Sequence, residues 1–182
     1  EMMSAINQTV MACSDMSDSK TGALIIFERY VSLEEIIATG TKIDGEVSAE
    51  LLKNIFYNKA PLHDGAVIVR NGRIAAAGCV LPLSASNSLS KELGMRLRAG
   101  IGMSEQSDAV VLIVSEETGS ISCSVEGTLK RHLKPQAVDR ILRKELTSEV
   151  EEDGEEKALL GIIRKLFPMK KKEEGKDNEK DL

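Results

Sequence analysis

The chain has 182 residues, 42% apolar and only 3% aromatic, with a formal charge of −5. The length suits one domain of about 100–150 residues plus flanking segments, and the core must be aliphatic. The negative charge argues against nucleic-acid binding as the main task.

Three cysteines, Cys13, Cys79 and Cys123, are widely spaced, odd in number and form no CxxC pair. They read as reduced thiols of a cytoplasmic protein, not as a structural zinc site. No apolar run approaches the roughly 20 residues of a membrane span, and no signal peptide is expected. The chain starts at Glu1 and not at Met, so it is expected to be a fragment of something longer.

Taken in order, Met2, Met3, Ile6, Val10 and Cys13 recur every three to four residues and predict an amphipathic helix over 2–16. Residues 22–27 form a continuous apolar run, read as a buried strand. Ser32 is placed to cap a short helix, with Glu35 at the capping-box position and Gly40 as its end. Ser48 caps a second helix, 49–57. Residues 66–70 and 73–81 are the two arms of a hairpin joined by Asn71-Gly72, a type I′ signal, and Pro82 ends the second arm. A polar loop over 84–90 leads to a helix over 91–103, with Ser90 as cap and Leu93 at the third position.

Residues 109–114 predict another buried strand, and 115–119 a turn. In 120–125, Ile121, Cys123 and Val125 alternate with serines, the pattern of a half-buried strand. A short strand over 128–132 follows, then a helix over 136–146 opened by Pro135. Beyond Thr147 the composition turns acidic and then lysine-rich. Residues 148–182 are expected to be a charged tail, with a short helix near 157–167 followed by disorder. The domain is therefore assigned to 1–147, with the helix 2–16 as its lead-in. The mixed order of strands and helices predicts an α/β (α+β) fold with a single mixed twisted sheet flanked by helices.

Chemistry concentrates in two runs. His63 and Asp64 stand just before the hairpin, followed by Gly65, which permits a tight bend and close approach of a ligand. About 30 residues on, Gly94-Met95-Arg96-Leu97-Arg98 carries two guanidinium groups. An acid, a possible metal ligand and two arginines suit a polyanionic, metal-bound substrate, most commonly a nucleoside triphosphate. Each motif alone also has a plainer reading. His63-Asp64 fits a turn pair, Arg96 and Arg98 point in different directions on a helix, and Ser115-Glu116-Glu117 fits a polar loop.

Together, the Asp64-Gly65-Ala66 motif, the Arg96-Leu97-Arg98 run and Ser115-Glu116-Glu117 resemble, in order and spacing, the bacterial diadenylate cyclase domain. Its hallmarks are an Asp-Gly-Ala and an Arg-His-Arg motif. The resemblance covers about 20–145 and is nearest to the membrane-anchored type, whose transmembrane helices precede the domain.

The resemblance implies condensation of two ATP molecules into cyclic di-AMP and two pyrophosphates, across two facing subunits. It implies Asp64, with Gly65 and Ala66, at the ribose 3′-hydroxyl, and His63 as ligand of Mn²⁺ or Mg²⁺. Gly94, Met95, Arg96, Leu97 and Arg98 would contact phosphate, as would Ser115, Glu116 and Glu117, and Leu24 and Leu81 would line an adenine slot. It further implies a homodimer at the cytoplasmic face of the bacterial membrane in full length. The fragment itself would be soluble, with no nucleic-acid partner and with any regulatory protein partner unidentified.

Three departures stand out. Leu97 occupies the position of the motif's His, Met95 that of a frequent Thr, and Val80 that of a frequent aromatic. If the imidazole contacts phosphate, Leu97 lowers turnover while ATP binding survives; if the position packs the helix, Leu is tolerated. The alternative function is a catalytically weak or inactive ATP-binding regulatory module of the same fold. Asp64 favours the cyclase and Leu97 favours the module.

Overall fold

The structure, a computed structural model, describes residues 1–82 and 94–152, with backbone only over 148–152. The expected loop 84–90, the cap Ser90, Leu93 and the expected helix 157–167 lie outside the described residues.

The fold is α/β: one seven-stranded mixed sheet in the order β2-β4-β3-β1-β5-β6-β7, with helices on both faces. The central strand β1 (Ala23–Phe27) is buried along its whole length. It pairs in parallel with β3 (Ala66–Arg70) and antiparallel with β5 (Val110–Val114). A strand covered on both sides can be apolar at every position, which is why 22–27 and 109–114 read as continuous runs. Ala23, Ile25 and Phe27 face one core, shared with α1 (Met2–Asp18), α3 (Ala49–Phe56) and α5 (Pro135–Glu152). Leu24 and Ile26 face the other, under α2 (Glu34–Ile37) and α4 (Met95–Gln106).

Several expectations hold in detail. Ser48 accepts a hydrogen bond from the Leu51 N–H at 3.1 Å and starts α3. Asn71 and Gly72 both have positive φ, 51° and 74°, as a type I′ turn requires, and join β3 to β4 (Arg73–Cys79).

Others are corrected. The buried stripe of α1 runs through Ala5, Ile6, Thr9, Ala12, Cys13 and Met16, while Met3 is 45% exposed. No capping box forms at α2. The Leu33 N–H donates instead to the Glu28 carboxylate at 2.7 Å, and Ser32 only receives the Glu34 N–H. The helix also ends at Ile37, before Gly40. The second hairpin arm stops at Cys79, short of Leu81. An edge strand absent from the sequence reading, β2 (Thr41–Glu46), pairs with β4, with a register shift between Lys42 and Gly45. Helix α4 begins at Met95, with Gly94 at its cap position, four residues later than expected.

Strand β6 (Ile121–Val125) is not half-buried. Ser122 and Ser124 are buried too, because α4 covers their face, and Ser124 shares a 2.6 Å hydrogen bond with Ser104. Once paired, a hydroxyl tolerates burial that it would otherwise resist. Strand β7 (Thr128–Leu133) closes the far edge. The three thiols are free and buried, and burial pushes them up to about 12 for Cys13 and Cys123 and about 11 for Cys79. They remain neutral at physiological pH and serve as small apolar side chains.

Candidate functional site

The sheet pairing decides where the site falls. β1 and β3 run parallel, so their first residues lie at the same end of the sheet. β5 runs the other way, and Val114 at its end pairs with Ala23 at the start of β1. Cys79, the last residue of β4, pairs with Ala66. Gly22, Asp64-Gly65, Leu81 and Ser115 thus leave the sheet at one common end. This is the amino end of the parallel pair, opposite to the usual ligand position in open α/β sheets. The first turn of α4 carries Arg96 to the same end, where it shares cavities with all of these.

Arg96 is the shared wall of three cavities. An apolar slot of about 230 Å³ is lined by Leu24, Asp64, Gly65, Leu81, Met95 and Arg96, with Cys79, Val80 and Ala99. A second cavity, of about 110 Å³, lies between Gly94–Leu97 and Ser115–Thr118, with Ser120, Ser122 and Arg131 opposite. A third, of about 430 Å³, is lined by Lys20, Thr21, Asn58, His63, Arg96 and Glu116, among others.

The Arg96 fork is partly engaged. Nη1 pairs with the Glu116 carboxylate, and Nη2 points at the His63 carbonyl at 3.4 Å. Gly22 makes this pair possible. A Cβ there would fall 2.7 Å from Arg96 Nη1 and collide with the Glu116 carboxylate. Among the described residues, Nε of Arg96 and Nε of Arg98 are buried without a hydrogen-bond partner. Buried N–H donors are seldom left so, and an anion satisfies them well.

Gly65 sets the approach to the slot. Its φ is +128°, and an added Cβ would lie 2.7 Å from the Gly78 carbonyl carbon and 2.9 Å from the Cys79 oxygen. Only glycine lets the chain turn here so close to β4. The turn leaves Asp64 exposed on the slot wall. His63 is half-buried, and its Nδ1 lies 2.7 Å from the Ala60 carbonyl. A carbonyl can only accept, so Nδ1 carries the proton and the Nε2 lone pair is left for a ligand. Ser115 accepts the N–H groups of Glu117 and Thr118 at 3.2 and 3.3 Å, which fixes the turn after β5.

The sequence-predicted residues fall into separate groups. Leu24, Asp64, Gly65 and Leu81 share the slot, whereas Gly94, Leu97, Ser115, Glu116 and Glu117 share the second cavity. Met95 and Arg96 belong to both, and His63 lies in the third with Glu116. Ala66 is fully buried in β3, and Arg98 lines none of the three. Leu97 is 9% exposed and packs in the core of Leu24, Ile26 and Ile113. Among the described residues, no group of three or more His, Cys, Asp or Glu gathers to hold a metal. Sequence reasoning missed Lys20, Gly22, Asn58 and Arg131. Only the positive charge of Lys20 and Arg131 beside strand ends hinted at them.

Comparison with known proteins agrees with this fold. Residues 10–129 match the family model DAC, described as DisA bacterial checkpoint controller nucleotide-binding. The chain is 46% identical over 140 residues to the cyclic di-AMP synthase CdaA of Bacillus subtilis, covering 77% of the chain and 51% of that protein. It is 50% identical over 118 residues to the diadenylate cyclase CdaS of Bacillus thuringiensis, covering 65% and 59%. It thus spans roughly half the length of these curated relatives. A crystal structure of DacA from Staphylococcus aureus, a double mutant, superposes with a TM-score of 0.77 at 42% identity, covering 79% of the chain and 96% of that one. A hypothetical membrane spanning protein from Bacillus cereus gives 0.68 at 46% identity, covering 70% and 63%.

Proposed function

Because the chain belongs to the diadenylate cyclase (DAC) family, we propose that it condenses two ATP molecules into cyclic di-AMP and two pyrophosphates. The observation that carries this reading is the single arginine walling an apolar slot, with a carboxylate at its side, from two further cavities. Adenine fits between Leu24 and Leu81, gaining about 25 cal/mol per Å² of apolar area buried. The Asp64 carboxylate takes the proton of the ribose 3′-hydroxyl. The freed oxygen bonds to the α-phosphorus of the nucleotide held by a facing copy. The bond from that phosphorus to the bridging oxygen breaks, and its electron pair leaves with pyrophosphate. One domain holds one nucleotide, so a symmetric pair of domains is required. The donors of Arg96 suit the charge gathering on the phosphates, whereas Arg98, expected there from the resemblance, lines none of the three cavities.

A divalent cation, Mn²⁺ or Mg²⁺, fits His63, whose tautomer leaves Nε2 to bind it. With no standing cage among the described residues, His63 would hold the ion together with phosphate oxygens and water, the usual habit of Mg²⁺. Bound there, it would neutralise phosphate charge and make phosphorus more electrophilic. The domain extends over 1–147, followed by the charged segment 148–182. No helix among the described residues is long and apolar enough to cross a membrane. Likeness to a membrane spanning protein supports an anchored full-length form, and ATP as substrate would put the domain on the cytoplasmic side.

The test is incubation with ATP and Mn²⁺ or Mg²⁺, with product and pyrophosphate measured at several protein concentrations. Cyclic di-AMP with two pyrophosphates each, and a rate per chain that falls steeply on dilution, is the expected result. Pyrophosphate without a dinucleotide would mean a hydrolase. ATP bound but unchanged would favour the second reading, a regulatory module, which Leu97 supports.

Leu97→His separates these further. The position borders both the core and the Ser115 cavity. We expect turnover to rise by about tenfold, the worth of one charge-assisted hydrogen bond, and Tm to fall because an imidazole is partly buried among aliphatics. An unchanged rate would show that the position only packs.

A further inference from the structure

We propose that the cavity under the α1–β1 turn is a distinct seat for the terminal phosphates of the nucleotide, with Lys20 as its cation. The proposal rests on the reading above and adds where the pyrophosphate goes.

The lining has the right chemistry. Lys20 and Arg96 stand against one carboxylate, Glu116, which Arg96 already neutralises. Thr21, Asn58 and His63 add polar groups, and the cavity, about 430 Å³, is larger than the one beside Ser115, about 110 Å³. Such a wall suits phosphate oxygens and gives a purine little apolar surface. Arg96 also walls the slot of Asp64. Since Arg96 walls both spaces, a triphosphate leaving that slot past Arg96 enters here.

The backbone at Lys20 carries the argument further. Its φ is +51°. Its N–H bonds to the Ser17 carbonyl at 3.2 Å, and the Thr21 N–H to the Met16 carbonyl at 2.8 Å. That is the Schellman ending of a helix, whose left-handed position is normally glycine because any side chain is strained there. Here the position holds a lysine on the cavity wall. The turn is also clamped in place. The Ser17 hydroxyl donates to the Gly119 carbonyl at 2.5 Å, and the Gly119 N–H donates to the Ser115 carbonyl at 2.9 Å. Lys20 and the Glu116 turn are therefore held together before any ligand arrives. As the phosphorus–oxygen bond breaks, the departing pyrophosphate gains charge, and a lysine on the cavity wall supplies a cation to offset it.

A merely structural lysine, favoured by the α1 dipole, is separated by its variants. Lys20→Gly relieves the left-handed strain and Lys20→Met keeps the bulk without the charge. With the whole chain, binding of ATP, AMP and inorganic pyrophosphate is measured by calorimetry, together with Tm. The expected result is ATP and pyrophosphate affinity at least about tenfold weaker in both variants. AMP affinity stays unchanged, and Lys20→Gly has a Tm equal to or above that of the parent. Unchanged ATP and pyrophosphate affinity overturns the proposal and leaves the cyclase reading intact. Equal losses for AMP and ATP also overturn it, since the turn would then be shaping the nucleotide slot as a whole. If the parent binds pyrophosphate through Lys20 but not ATP, the anion seat stands and the cyclase reading falls.

Discussion

Asp64→Asn is expected to lower cyclic di-AMP formation by roughly 10²–10⁴-fold, the usual worth of a positioned proton acceptor, while ATP affinity changes little. The amide keeps the size and the hydrogen bond to a ribose hydroxyl but cannot take its proton. Asp64 is exposed at a turn, so the fold should be indifferent, with stability within about 0.5 kcal/mol of the parent. Product formation and ATP affinity, measured on the same preparation, separate the two effects. Turnover close to that of the parent would remove Asp64 from the chemistry.

The second large effect is expected at Arg96. Arg96→Met takes the shared wall from all three cavities, and should cost about 10²–10³-fold in turnover, as loss of a charge-stabilising donor does elsewhere. ATP affinity should fall as well, because in the proposed reading the fork serves bound nucleotide and departing phosphate alike. Arg96→Lys should recover only part of this, since a point charge cannot reproduce two parallel N–H donors. The Glu116 partner is 58% exposed, so its lost pair should cost the fold no more than about 1 kcal/mol. Thermal melts beside the kinetics check that premise. Full activity of Arg96→Met would mean that phosphate binds elsewhere.

Much of this was legible before any coordinates. The continuous apolar runs of β1 and β5 announced strands covered on both faces, and Asn71-Gly72 announced its own hairpin. Gly65, between an acid and an apolar strand, marked a constrained turn. The helical spacing of Arg96 and Arg98 already said that the two would not serve one point, and only Arg96 lines the cavities. What stayed hidden was non-local. β2 is polar, kinked at Asp44 with φ 49°, and is a strand only because β4 offers it an edge. The β6 serines resemble a solvent face until α4 is laid over them. Lys20 and Gly22 join the site solely because β1 lies between β3 and β5, a pairing that no local window contains.

That pairing also governs how the molecule is made. Ile25 must wait for Val67 on one flank and for Leu112 on the other, so the middle of the sheet is sealed only by chain synthesised late. Until β5 emerges from the ribosome, a wholly apolar strand has an open edge, the condition in which nascent chains stick to one another. Refolding should accordingly take milliseconds to seconds, as long-range pairings do. A single microsecond phase in stopped-flow or temperature-jump traces would contradict this. The arrangement that gathers distant turns around one arginine thus leaves the young polypeptide dependent on its own completion.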